Sequence, residues 1–196
     1  MPSKSSTEKK KGRPRDDRAH QCVLEAVRDH LRKEGLCGLT MEGIARQAGV
    51  GKQTLYRWWP SLAEVTLEAL AAEAGETCFP PHTGDPAEDL GVFLRQTFSV
   101  IRQNTGPLLC CLMVEAQKDE AFQEKFRSVF IRQRQEVLAG LLERAWRPGG
   151  LDPWLAVDIV FGTLWYRLLV GHAPLDDALA DTLAQVAISL VSRSLP

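Results

Sequence analysis

The sequence predicts an all-α chain of about nine helices, and three observations predict it. Apolar residues recur at spacings of three and four, and nowhere do alternating residues make a convincing strand. Capping residues stand at the heads of the apolar runs, with proline directly behind them in Asp85-Pro86 and Asp152-Pro153. Proline and glycine breaks divide the runs into helix-length pieces. With 196 residues, 44% of them hydrophobic, the chain can bury a sizeable core.

Met1 to about Asp17 is polar and basic around Lys9-Lys10-Lys11-Gly12-Arg13-Pro14-Arg15, and reads as a flexible arm. Val23, Ala26, Val27 and Leu31 mark one face of a first helix, with Gly35 as its C′ residue. Thr40 caps a second helix, Met41 to Ala48, which Gly49 ends. A third runs from about Lys52 to Trp58 and stops before Pro60. Ser61 to Glu64 has capping-box spacing and opens a fourth, reaching about Glu76. Phe79 to Gly84 cannot continue a helix and forms a loop.

Beyond the Asp85-Pro86 cap, Leu90, Leu94, Phe98 and Ile101 line one face of a fifth helix. Gly106-Pro107 is expected to break the chain before another apolar helix, Leu108 to about Gln117. Phe122, Phe126, Val129, Phe130, Val137, Leu138, Leu141 and Leu142 then predict one long amphipathic helix, ended by Pro148-Gly149-Gly150. Trp154 to Val170 is apolar nearly all round, and Leu179, Leu183, Val186, Ala187, Leu190 and Val191 mark the last helix.

The net charge of -1 hides an asymmetry. Residues 1–60 carry 13 Lys and Arg against 7 Asp and Glu, a balance of +6, whereas residues 61–196 carry 11 against 18, a balance of -7. A basic head on an acidic body points to a head that meets a polyanion. The basic, polar start does not read as a signal peptide, and Gly162, Thr163 and Arg167 interrupt the richest apolar run, so no membrane is expected. Five cysteines without a spaced framework fit a reducing cytoplasm. The four histidines have no metal-ligand spacing around them, and no Ser/His/Asp constellation or Gly-rich phosphate loop suggests an enzyme. No cofactor is expected.

From Met41 to Pro60 the sequence reads MEGIARQAGVGKQTLYRWWP. Apolar positions fall at Ile44, Ala48, Val50, Leu55 and Trp58. Ala45 is small where the second short helix would cross, and Gly49 is where the chain needs a positive φ. An ordinary helical hairpin explains these positions but not the remaining face, which carries Lys52, Gln53, Thr54, Tyr56 and Arg57.

Here the chain resembles the TetR family of repressors. The resemblance rests on Leu39 to Ala45, Ala48 to Tyr56 and Trp59-Pro60-Ser61, and is close across residues 20–70. It implies an N-terminal three-helix helix-turn-helix DNA-binding domain plus a C-terminal helical ligand-binding and dimerisation domain, paired as a homodimer through the last two helices. The expected boundaries are 1–17 for the basic arm, 18–60 for the DNA-binding domain and 61–196 for the remainder.

The resemblance makes Lys52 to Trp58 the recognition helix in the major groove of a double-stranded operator. Gln53 and Thr54 are the candidates for base-edge contacts. Lys52, Tyr56 and Trp58 look like phosphate-positioning groups, and Arg57 suits either a phosphate or a base. Thr40 can hold a phosphate at its helix N-terminus, and Arg46 is a further backbone candidate. Family members often carry a lysine just after Trp-Pro-Ser. Leu62 stands here instead, which leaves that phosphate contact out of the expected set. In the arm, Gly12-Arg13-Pro14-Arg15 looks like the minor-groove insert of AT-hook peptides, and reads equally as a solvated tail adding non-specific attraction through Arg13 and Arg15.

A segment resembling Leu164 to Leu175 recurs in one branch of TetR C-terminal domains. Apolar faces on the two final helices fit either a monomer core or a two-fold interface, and a two-fold operator favours the interface. The small-molecule inducer is expected among the central helices, against Phe98, Met113, Phe126, Phe130 and Trp165, with Glu115, Gln117 or Arg167 as polar anchors. It would bias a pendulum position of the helix Leu62 to Glu76 and so change the separation of the two recognition helices. The alternative is a thiol-redox regulator sensing through Cys110 or Cys111.

Overall fold

Three helices open the part of the chain that the structure, a computed structural model, describes: residues 17–77 and 80–193. α1 (Asp17–Glu34) buries Val23, Leu24, Ala26 and Val27 against α2 (Met41–Ala48) and the helix Leu62–Thr77, and α3 (Lys52–Trp58) packs on α2. The Thr40 hydroxyl caps α2 by accepting from Gly43 N–H at 3.1 Å. Gly49, at φ +68°, closes α2 in the left-handed conformation its position requires, with Val50 N–H donating back to the Ala45 carbonyl at 3.0 Å.

Leu55 and Trp59 are the fully buried keystones of this head. Truncating side chains so placed costs about 2–5 kcal/mol. Trp58, expected at an apolar position, packs half-buried against this core, and the indole buried completely is the next one along. α3 ends at Trp58, and the extended backbone of Trp59 (φ −132°) swings its indole inward while Trp58 stays half-buried at the rim.

α4 (Leu62–Thr77) belongs to both halves of the molecule. Its Val65 and Ala69 close the head core, whereas Leu67 and Leu70 enter the core of the body. Only half of the expected capping box forms. Ser61 Oγ accepts from Glu64 N–H at 3.2 Å, but the Glu64 carboxylate turns to the Lys125 ammonium in the helix Glu120–Phe126. The boundary expected between residues 60 and 61 therefore falls just before a helix shared by two cores.

The body is built from α5 (Pro86–Val100), α6 (Gly106–Ala116), α7 (Glu120–Phe126), α8 (Arg132–Ala145), α9 (Pro153–Val170) and α10 (Asp177–Ser192). No strand occurs among the described residues. Asp85, Asp119, Asp152 and Asp176 cap α5, α7, α9 and α10 by accepting backbone N–H groups. α10 lies along α5, fastened by the Arg95–Asp181 pair and by Arg102, which donates to the Leu175 carbonyl at 2.6 Å and to Asp177 at 3.0 Å. Asp89, fully buried on α5, accepts from the N–H and hydroxyl of Thr83 at 2.9 and 2.8 Å and from Arg144 at 2.7 Å.

Two expectations about continuity are corrected. Gly106-Pro107 does not break the chain: α5 runs into α6 through a π-helical turn, Ile101–Thr105, in which Gly106 N–H donates to Ile101. The wider turn takes up the proline that an α-helical interior would reject. The long helix expected from Phe122 to Leu142 likewise contains a π turn, Arg127–Ile131, between α7 and α8. That extra residue per turn shifts the apolar stripe, so Val129 stands exposed while Phe122, Phe126 and Phe130 remain buried.

Among the described residues α9 is the one helix long and apolar enough to cross a membrane, by length and composition alone. It carries Asp158 and Arg167, and its Ala156, Val157, Val160 and Leu164 are buried in the chain's own core.

Candidate functional site

The apolar side of α3 is spent on the head core through Leu55, so its other side chains point away. Lys52, Gln53, Tyr56 and Arg57 are exposed, Thr54 and Trp58 half-buried. Thr40 and Arg46 on α2 are exposed as well. α3 is seven residues long, short enough to enter a major groove whole. The structure brings these eight candidate residues onto two adjacent short helices. Arg13 and Arg15 lie outside the described residues.

Lys52 is not idle in the free protein. Its ammonium sits 2.6 Å from Glu42 on α2. That hydrogen bond holds the Glu42 carboxyl below its ordinary range and raises the Lys52 ammonium above its own. Both side chains are more than half exposed, so the pair is weak.

Behind α3 lies a cluster that the sequence did not single out. The Trp59 indole N–H donates to Glu68 on α4 at 2.6 Å, and His20 Nε2 on α1 stands 2.9 Å from the other carboxylate oxygen, close enough for an ion pair though not aligned for a hydrogen bond. The His20 ring packs 4.7 Å from that of Trp59 and 6.0 Å from that of Trp58. One carboxylate thus joins α1, the end of α3 and α4. The legible signal was weak: an indole and a carboxylate nine residues apart, across a helix boundary.

Within two turns of Glu68 along α4, Leu70, Glu73 and Ala74 line a narrow cavity of about 30 Å³ in the body. Phe130 and Trp165 also line it, as do Thr97 and both π turns, through Ile101, Thr105 and Ile131. Ile131, Phe161 and Trp165 form a partition between this cavity and an open groove of about 450 Å³, where Met113 and Phe126 lie. Phe98 is fully buried and lines neither space. Of the three anchor candidates, Gln117 lines the groove, Arg167 donates to the Pro174 carbonyl at 2.7 Å, and Glu115 meets Lys118 at 3.5 Å. No group of three or more His, Cys, Asp or Glu able to hold a metal occurs among the described residues.

The thiol alternative gains no support from these surroundings. Burial, and then the neighbouring Cys111, push the Cys110 thiol above its ordinary value, which starves it of thiolate.

Comparison with known proteins covers the same two halves. Residues 23–65 match the family described as bacterial regulatory proteins, tetR family, and residues 80–187 match the tetracyclin repressor-like C-terminal domain. The uncharacterized HTH-type transcriptional regulator YdeS of Bacillus subtilis (strain 168) is 29% identical over 189 residues, covering 94% of this chain and 96% of that protein. The regulator AqdR of Rhodococcus erythropolis is 24% identical over 177 residues, covering 90% and 85%. Among solved structures, the TetR family transcription regulator SCO0332 superposes with a TM-score of 0.79 at 34% identity, over 88% of this chain and 98% of that one. The Bacillus subtilis FadR in complex with stearoyl-CoA shares the fold, with a TM-score of 0.62 at 17% identity over 87% and 98%. Because the match runs through both head and body, and not through the helix-turn-helix alone, the chain belongs to the TetR family of bacterial DNA-binding transcriptional regulators.

Proposed function

We propose that this regulator is a ligand-responsive repressor that works in the cytoplasm as a homodimer and releases a palindromic operator when a small molecule binds its body. The observation that carries the reading is the position of α4. Within two turns, one helix holds the carboxylate that fastens the end of the recognition helix and the side chains that wall the cavity. A molecule that widens the cavity displaces Leu70 and Ala74, and the same rod moves Glu68 and, with it, Trp59. Such a molecule acts only to the extent that it binds the displaced state more tightly.

Pairing through the last two helices is supported by an uncovered apolar stripe on α9. Leu155, Ile159, Tyr166, Leu169 and Val170 are 39–59% exposed, and Val186 on α10 adds to them. The α9 residues are spaced by four, seven and three, with Val170 one turn beyond Tyr166, which places them along one side of a helix whose other side is core. A patch of this kind marks an interface. In the DNA complex, Gln53 and Thr54 read base edges, while Lys52, Tyr56, Arg57, Trp58, Thr40 and Arg46 hold the backbone.

The test is selection of bound genomic fragments by the purified protein, followed by anisotropy titration of the recovered site. The reading requires a two-fold symmetric site bound by a dimer. Equal affinity for scrambled duplex overturns it.

A further inference from the structure

Thr97 stands in the apolar stripe of α5, between Leu94 and Ile101, and is buried. Three other helical threonines spend their hydroxyls in the usual way on the carbonyl four residues back. Thr66 donates to Leu62 at 2.6 Å, Thr163 to Ile159 at 2.9 Å and Thr182 to Ala178 at 2.8 Å. The Thr97 hydroxyl, by contrast, is buried without a hydrogen-bond partner, and Thr97 is one of the residues that line the narrow cavity. A buried polar group left unmade is costly, so its persistence in a wall otherwise mostly apolar calls for a partner that arrives from outside.

The charges around the cavity narrow the chemistry of that partner. Glu73 and Arg134 line the cavity, and Arg127 and Asp158 line the adjoining groove, one of each sign in each space. Neither space offers net charge to an ion. The remaining polar side chains of the groove, Gln117, Gln123 and Gln135, are neutral. Both π turns border the cavity, and such turns concentrate at functional positions in helices.

We propose that the cavity takes an uncharged, largely apolar molecule whose single carbonyl or ether oxygen accepts a hydrogen bond from the Thr97 hydroxyl. It enters from the groove by displacing the partition of Ile131, Phe161 and Trp165, since about 30 Å³ holds on the order of two water molecules. This rests on the reading of the body as the responsive half, and gives that reading a ligand class and a specificity residue.

Three probes of matched shape test it by calorimetry on the full-length protein: 2-acetylnaphthalene, 2-isopropylnaphthalene and 2-naphthoate. The ketone binds about three- to tenfold more tightly than the hydrocarbon, the margin of one hydrogen bond, and the carboxylate binds at least tenfold more weakly than the ketone. Thr97→Val brings the ketone-to-hydrocarbon ratio to about one, while Thr97→Ser keeps it. The ligand-free Thr97→Val protein melts no lower than wild type, which shows that it folds. A preference for 2-naphthoate, a ratio unchanged in Thr97→Val, or failure of all three probes to bind up to their solubility overturns the proposal.

Operator anisotropy in parallel separates the two readings. Release by 2-naphthoate without ketone binding overturns the ligand class alone. Ketone binding through Thr97 without operator release supports the class and overturns the responsive reading.

Discussion

The head and the body of this chain are both helical and both built on buried leucines, yet they are packed to different standards. In the head, α1, α2 and α3 close around Leu55 and Trp59. The Trp59 indole, its largest polar handle, is satisfied by Glu68, and the polar side chains of α3 project from a short, fixed rod. The body holds two adjoining spaces separated by a partition, two π turns and an uncovered apolar stripe. On the proposed function the contrast is a division of labour. Reading a groove requires side chains held to within a fraction of an ångström, whereas responding to a ligand requires packing that has not been completed.

The largest effect expected from breaking this contrast comes from the body. Leu169→Glu with Val170→Glu places charge on the α9 stripe and leaves the head untouched. Sedimentation should show monomers, and operator affinity should fall by about a thousandfold or more, because burying unpaired carboxylates costs several kcal/mol. Dimers with normal affinity would remove α9 from the interface. Tyr56→Ala comes next. Operator affinity should fall about 30- to 100-fold while the dimer stays folded, and wild-type binding would refute the assignment of the recognition helix.

Glu68→Ala attacks the link between the halves. It strands the buried Trp59 N–H, a loss of about 1–3 kcal/mol, which should lower the melting temperature by roughly 3–10 °C and weaken operator binding. Normal operator binding at a lowered melting point would show that the cluster stabilises the head without positioning α3.

The acid limb sharpens the comparison further, because Asp89 belongs to the body alone. Burial would raise its carboxyl, but the N–H and hydroxyl of Thr83 and the guanidinium of Arg144 outweigh burial and hold it below the ordinary range. A carboxyl depressed in the folded state contributes stability above its unfolded value of about 4, and that contribution disappears as pH falls through the folded value. Asp89→Asn should therefore lower the melting temperature at neutral pH and narrow its gap from wild type toward pH 2–3. A gap independent of pH would show that the charge is not what matters. The smallest effect is at the surface of the head. Glu42→Gln frees Lys52 and should tighten operator binding about two- to threefold at low salt, with an unchanged melting temperature.

Much of the head was legible in the chain itself because its constraints are local. Thr40, Gly49 and Pro60 bound α2 and α3 through their own backbone chemistry, and the residues left over once Leu55 is buried are the ones that face outward. The body was legible as helices and caps but not as a site. Met113, Phe126, Phe130 and Trp165 were readable as large apolar residues of central helices, yet spacing could not tell Phe98, fully buried and facing neither space, from its neighbours at the cavity wall. A π turn leaves a sequence footprint of one residue, too small to separate from ordinary scatter in an apolar stripe, and both were missed. Thr97 did leave a signal, a hydroxyl among leucines and phenylalanines.

What the sequence determined by itself was the set of choices made over one or two turns: helix starts and stops, the shape of the helix-turn-helix, the basic head and the acidic body. Only the tertiary structure decided that α4 serves two cores, that Glu68 gathers His20 and Trp59, that Glu64 turns from its cap to Lys125, and that Thr97 is buried unpartnered in the cavity wall. The reason is range. Backbone hydrogen bonding and periodicity act over a few residues, whereas a cavity or a carboxylate clamp exists only where elements distant along the chain happen to meet.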